Sequence, residues 1–276
     1  MLSQQQSHTP QAVEITPRKI EKDFSSVLAT DYVKDNPFMT AYYNALSLSF
    51  PDGEQFFIDS VRYFQDQIQD PKLQKEIRAF CGQETFHSRE HARFNKSLVA
   101  ARGYRLGKFV KSEELAKKMR KKTSPLMALA ITAALEHLTA ILSASELEDP
   151  RWFEGMDESI KQMWYWHCIE EIEHKSVAYD VYLAVGGSYW MRVAAMVIAF
   201  FAYVVGTGKV MGELLKQTGQ SNWSVYWKGL KQIFGYRAPG WSVMKEVLVF
   251  FKPGFHPWHS DSQPLLREWK QRMNFV

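Results

Sequence analysis

The segment HCIEEIEH, His167 to His174, places two histidines and three glutamates within two helical turns. On a helix, residues three or four apart share a face, so Glu171 and His174 can offer a carboxylate oxygen and an imidazole nitrogen to one cation. The same Glu-x-x-His spacing recurs as Glu84 and His87 in GQETFHSREH. Two further glutamates interrupt apolar stripes. Glu136 falls in the series Leu129, Ala133, Glu136, Ala140, Ser143, Leu147, and Glu54 lies one turn before Phe57 and Ile58. His91 continues the stripe that holds Glu84 and His87, and His167 precedes Glu171 by four residues.

Each of these groups would cost several kcal/mol if buried without a partner. Lysine and arginine are missing from the four stripes near the acidic positions, so a multivalent cation is the simpler compensation. One Glu from each of two helices, with a Glu-x-x-His from each of two others, is the ligand arrangement of di-iron and di-manganese carboxylate bundles. A single Glu-x-x-His carries little information. Here four separate elements agree. On an ideal helix His167, Glu171 and His174 project within about 40° of one line.

The elements that must position these residues read as helices almost throughout. The pattern predicts helices over about Pro37 to Leu48, broken at FPDG, then Glu54 to Ile68, and Pro71 to Ala101 ended by Gly103. A short basic helix follows near 112 to 121. Then comes a helix to Glu148 with Ser124 as N-cap and Pro125 in its first turn, and another from about Asp157 to Val185, stopped by GGS. The expected organisation is a flexible N-terminal tail over 1–30, a four-helix bundle over 31–188 and a C-terminal helical extension over 189–276. The fold class expected is all-α, a ferritin-like helical bundle with that extension.

The 276 residues are 46% hydrophobic, enough for a sizeable core, and the net charge is +4. Basic residues are scattered apart from KKMRKKT at 117 to 123, which reads as a solvated helix end, so nucleic acid is not an expected partner. Cys81 and Cys168 have no CxxC spacing, which suits a reducing cytoplasm and suggests neither a disulfide nor a thiolate site. The polar N-terminus does not read as a secretory signal. The run VAAMVIAFFAYVV, Val193 to Val205, is short for a membrane span and is expected to be a buried core helix, with an interfacial, membrane-associated segment as the alternative.

The stretches FPDGEQFF, GQETFHSREHARFN, AALEHLTA, WHCIEEIEHKSVAYDVY and FKPGFHPWH resemble the ferritin-like di-metal carboxylate proteins. In particular they resemble a bacterial family labelled "predicted metal-dependent hydrolase", over roughly residues 30 to 260. His167, Glu171 and His174 also resemble the fourth-helix motif of p-aminobenzoate N-oxygenase-type di-iron proteins, where an additional histidine joins six ligands. Position by position, the resemblance implies metal ligands at Glu54, Glu84, His87, Glu136, His167, Glu171 and His174. His91 has no counterpart in the six-ligand pattern, which leaves it as a further ligand, a proton donor or a partner of a ligand. Glu170 and Glu173 lie off the main face, either paired at the surface with Lys175 or Arg89 or orienting the histidines.

Carboxylates with imidazoles suit two iron ions, with manganese or a mixed Fe/Mn pair as alternatives. No HExxH, GxSxG or P-loop is present. The expected function is therefore a di-iron oxygenase or oxidase. Its partners would be O2, a small organic and lipophilic substrate, and an electron donor that no motif identifies. A di-metal hydrolase and an iron-binding protein without an organic substrate are the alternatives. Peripheral membrane contact and a homo-oligomer are compatible with the composition.

Overall fold

The computed structural model describes residues 6–20, 24, 26–107 and 123–275, so the basic helix expected near 112 to 121 lies outside the described residues. The chain is all-α, and among the described residues the only extended pairing is an isolated bridge between Val33 and Met156. Four helices carry the expected ligands: α1 (Pro37–Arg62), α2 (Pro71–Arg102), α3 (Pro125–Glu148) and α4 (Glu158–His174). They are followed by α5 (Val177–Ala184), α6 (Tyr189–Gln217), α7 (Trp223–Phe234), α8 (Gly240–Val249) and α9 (Gln263–Arg272).

Several boundaries follow from local chemistry. Asp70 caps α2, its carboxylate accepting from the backbone N–H of Lys72 and Leu73, and Pro71 occupies the first turn. Gly103 ends α2 in the left-handed region at φ 64°. Ser124 caps α3 through Met127 N–H, ahead of Pro125.

Two boundaries depart from expectation. The break predicted at FPDG is absent, and α1 runs through Pro51 without interruption. Proline removes the N–H that would bond the carbonyl four residues back, here that of Ser47. Asn95 on α2 supplies the missing donor, its Nδ2 lying 2.7 Å from Ser47 O, while Ser88 Oγ donates to Pro51 O at 3.2 Å. Neighbouring α2 thus repairs the helix. Conversely, the single helix expected from Asp157 to Val185 is interrupted at Lys175 and Ser176, just after His174. Both side chains there are held by distant segments: Lys175 Nζ donates to Ser260 O and Ser262 Oγ, and Ser176 Oγ accepts from Trp258 Nε1 at 3.1 Å.

The apolar core falls into two clusters with a polar layer between them. Along α1 the first cluster ends at Leu48 and the second begins at Phe56, with Glu54 between. Along α2 the second ends at Cys81 and the first resumes at Phe94, with Glu84, His87 and His91 between. Residues 6–20, expected in a flexible tail, run along the bundle and bury Thr9, Val13 and Ile15. The apolar run Val193 to Val205 is not a buried core helix. It forms part of α6, which packs one face on α1 and α3 and exposes the other.

Candidate metal centre

All seven expected ligands are buried and converge on the polar layer, Glu54 from α1, Glu84 and His87 from α2, Glu136 from α3, and His167, Glu171 and His174 from α4. They form two adjacent groups. Glu54, His87 and His167 each bring a donor atom within 4.8 Å of one another, as do Glu84, Glu171 and His174. Glu171 Oε1 joins the two groups, lying 3.4 Å from His87 Nδ1, 3.5 Å from His167 Nε2 and 3.6 Å from His174 Nε2. His174 Nε2 also lies 3.1 Å from Glu84 Oε1 and 3.2 Å from Glu136 Oε2, which attaches Glu136 to the second group.

The hydrogen bonds on the far side of each ring decide what faces the centre. His87 Nε2 donates to Glu170 Oε2 at 3.1 Å, so Nδ1 points inward. His174 Nδ1 donates to Gln83 Oε1 at 2.9 Å, so Nε2 points inward. For His167 the relay is longer. Ser47 Oγ donates to Asn95 Oδ1 and must therefore accept from His91 Nδ1 at 2.8 Å, which leaves His91 Nε2 to accept from His167 Nδ1 at 3.2 Å. His167 Nε2 then faces Glu171. Each inward nitrogen is left to carry a proton or a cation, and the outer partner fixes the ring either way. The position of His91, left open by the sequence, is behind His167.

One N–H cannot serve three carboxylates. Both oxygens of Glu54, Glu84 and Glu136, together with Glu171 Oε2, His87 Nδ1 and His174 Nε2, are buried without a hydrogen-bond partner. Burial pushes Glu54 and Glu84 well above the usual carboxylate range and Glu136 up to about 7. Glu171 is held well below that range, because His174 and His87 outweigh its burial. Buried polar atoms in folded proteins are almost always paired, so this concentration of unpaired acceptors marks a place where cations belong. Four carboxylates with no lysine or arginine against them balance two divalent ions, and the residues fit such a pair.

Behind the centre lies a network that the sequence reading only partly anticipated. Glu170 and Glu173 pair neither with Lys175 nor with Arg89. Arg18, from the N-terminal segment, spans both: its Nη1 lies 3.2 Å from Glu170 Oε1 and its Nη2 2.8 Å from Glu173 Oε1. Glu173 also accepts from Gln83 Nε2 at 2.7 Å, and Lys270 on α9 lies 2.9 Å from its Oε1. One guanidinium thus stands behind two of the candidate ligand histidines, through Glu170 to His87 and through Glu173 and Gln83 to His174. Glu170 therefore touches a candidate ligand, as one of the expected alternatives required. Arg18 carried no periodic signal, and Gln83 was hidden beside Glu84.

Two other buried acidic sites behave differently. His8, Asp180 and His256 also bring donors within 4.8 Å of one another. Here, however, His8 Nδ1 donates to Asp180 Oδ1 at 2.8 Å. His256 Nδ1 accepts from Trp258 N–H, so its Nε2 carries the proton that it donates to Asp180 Oδ1 at 3.0 Å. The cluster is satisfied by protons and works as a clasp between the N-terminal segment, α5 and the loop before α9.

The second is Glu146 on α3, which accepts from the Cys168 thiol at 3.2 Å, and burial pushes it up to about 7 despite that hydrogen bond. Because the folded state holds a proton that the unfolded chain releases near 4.5, stability from this group falls as pH rises from about 4.5 to 7. Comparison of Glu146→Gln with wild type by urea unfolding should show about 2.5 kcal/mol less loss between pH 5 and pH 8. Parallel pH profiles for the two proteins would refute the assignment.

No curated protein and no solved structure matches the chain. A family model described as predicted metal-dependent hydrolase matches residues 16–261, in agreement with the buried Glu and His groups, and the chain belongs to that family.

Proposed function

We propose that the chain is a ferritin-like di-metal enzyme that holds two iron ions and uses O2 to oxidise an organic, lipophilic substrate. The observation that carries this reading is the donor set. Four carboxylates and three imidazoles face one another, and both cysteines are free and buried, Cys168 being engaged with Glu146. Oxygen and nitrogen donors without thiolate suit iron and manganese. A bound iron pair would supply the electrons for O2 reduction. The protein's own part is positional. Glu171 sits between the two groups, and Glu54 and Glu136 approach from α1 and α3. Gln83, Glu170 and His91 fix the rings, and Phe50, stacked on His167 at 4.8 Å, helps to exclude water.

The second reading is hydrolysis. The family's description favours it, and a metal pair can also activate water.

Protein purified without air and loaded with Fe(II) should bind about two ions per chain. It should consume O2 on mixing, with a transient visible absorption. His167→Ala should keep the fold and at least one ion while changing that spectrum and slowing O2 uptake. Tight zinc binding with ester or amide cleavage and no O2 uptake would replace oxidation with hydrolysis. An unaltered spectrum in metal-replete His167→Ala protein would remove His167 from the ligand set.

A further inference from the structure

The charge of the chain is unevenly placed. From Tyr189 to His256 there are eight lysines and arginines against two glutamates, a net +6, while the rest of the chain carries −2. The same stretch exposes most of the large apolar side chains. On α6, Trp190, Val197, Phe201 and Val204 form one helical stripe, and on α7 Trp223, Trp227, Leu230 and Phe234 form another. Trp190 and Trp223 are 76% and 75% exposed, and Tyr236, between α7 and α8, is 87% exposed.

Hydropathy alone does not distinguish α6 from α3, since both are long and apolar enough to cross a membrane. Burial does. The most apolar window of α3 is 67% buried and that of α6 only 17%. The core therefore accounts for α3 and leaves the outer face of α6 unexplained. The inner face of α6, with Ala195, Met196 and Ala199, is fastened to α1 and α3, which holds the helix along the bundle. Helix α7 packs on α1, where a β-carbon at Gly229 would fall 2.0 Å from the Phe38 ring, and α8 packs on α3. All three helices cover the same side of the bundle. Exposed Lys228 and Lys231 lie next to Trp227 and Leu230 on α7, and Lys245 and Lys252 follow on and after α8.

We infer that this side of the molecule docks on an anionic lipid surface. The stripes of α6 and α7 lie in the headgroup region, and the lysines stand against lipid phosphates. Tryptophan and tyrosine with an apolar body and a polar edge, flanked by lysines, are what an interfacial helix presents to a bilayer. A second copy of the chain fits poorly, because a symmetric contact would set +6 against +6. The inference does not depend on the chemistry proposed for the metal centre.

Flotation with vesicles of phosphatidylcholine, with and without phosphatidylglycerol, tests it. Binding should require the anionic lipid, weaken as salt is raised, and shift tryptophan emission to the blue. Lys228→Glu with Lys231→Glu should lower the partition coefficient roughly tenfold or more. Trp223→Ser with Trp227→Ser should reduce the emission shift, leaving the part due to Trp190 on α6. Circular dichroism and metal content should stay unchanged in both variants, since the altered residues are exposed. Failure to float, or flotation equal in wild type and variants, would overturn the inference. So would a lipid-free dimer, seen by sedimentation velocity, that these variants dissociate.

Discussion

Stripping the metal with a chelator in the absence of air lowers the melting temperature, and Glu84→Gln reverses its effect on stability between the two states. In the loaded protein, Glu84→Gln or Glu171→Gln removes a donor and destabilises. In the stripped protein, Glu84→Gln stabilises, because both oxygens of the Glu84 carboxylate are buried without a hydrogen-bond partner. A ligand at a thousand times its dissociation constant stabilises by about 4 kcal/mol, equivalent to roughly 10 °C for a chain of this size. Stripped Glu84→Gln should exceed stripped wild type by about 1–4 kcal/mol, taking as a guide the range seen when a buried ion pair is replaced by uncharged residues of similar volume. Differential scanning calorimetry of four samples, wild type and variant with and without metal, measures all of this. A wild-type protein that folds fully in metal-replete buffer, binds no metal and ignores the chelator would eliminate the centre.

Arg18→Met should be the most damaging change outside the metal-facing residues. The guanidinium is mostly buried between Glu170 and Glu173, whose side chains are fully buried. Among the described residues, removing it leaves Glu170 with no lysine or arginine and Glu173 with Lys270 alone. Breaking a buried pair by deleting one partner costs about 3–5 kcal/mol. Since Glu170 and Glu173 orient His87 and His174, metal affinity should fall by about 10–100-fold as well. Arg18→Lys should recover only part of each loss, because one ammonium cannot reproduce the fork that contacts both carboxylates. Urea unfolding and competition for metal with a coloured chelator measure the two effects separately. A loss below about 1 kcal/mol with undiminished affinity would show that the network is decorative.

The residues that face the centre were legible in the sequence because helical spacing and polarity conflict there. A helix repeats its face every three or four residues, so a glutamate or histidine at an apolar position stands out without knowledge of its neighbours. Glu84, His87, Glu136, Glu171 and His174 are of this kind, as are the capping residues Asp70, Ser124 and Gly103, whose effect is confined to one turn. What depends on partners far along the chain was not legible. Pro51 reads as a helix break, and it is α2, through the Asn95 side chain 44 residues away and Ser88, that bonds the carbonyls around it and lets α1 carry Glu54 into the centre. The interruption after His174 has no glycine or proline to announce it and depends on Ser260, Ser262 and Trp258. Arg18, more than 150 positions from Glu170, sits in a segment with no periodicity at all. The apolar run in α6 looks the same in sequence whether buried or exposed, since hydropathy records composition and not which face finds a neighbour. The direction of each imidazole was likewise decided by tertiary contacts, because a ring nitrogen turns toward whatever acceptor packing sets behind it.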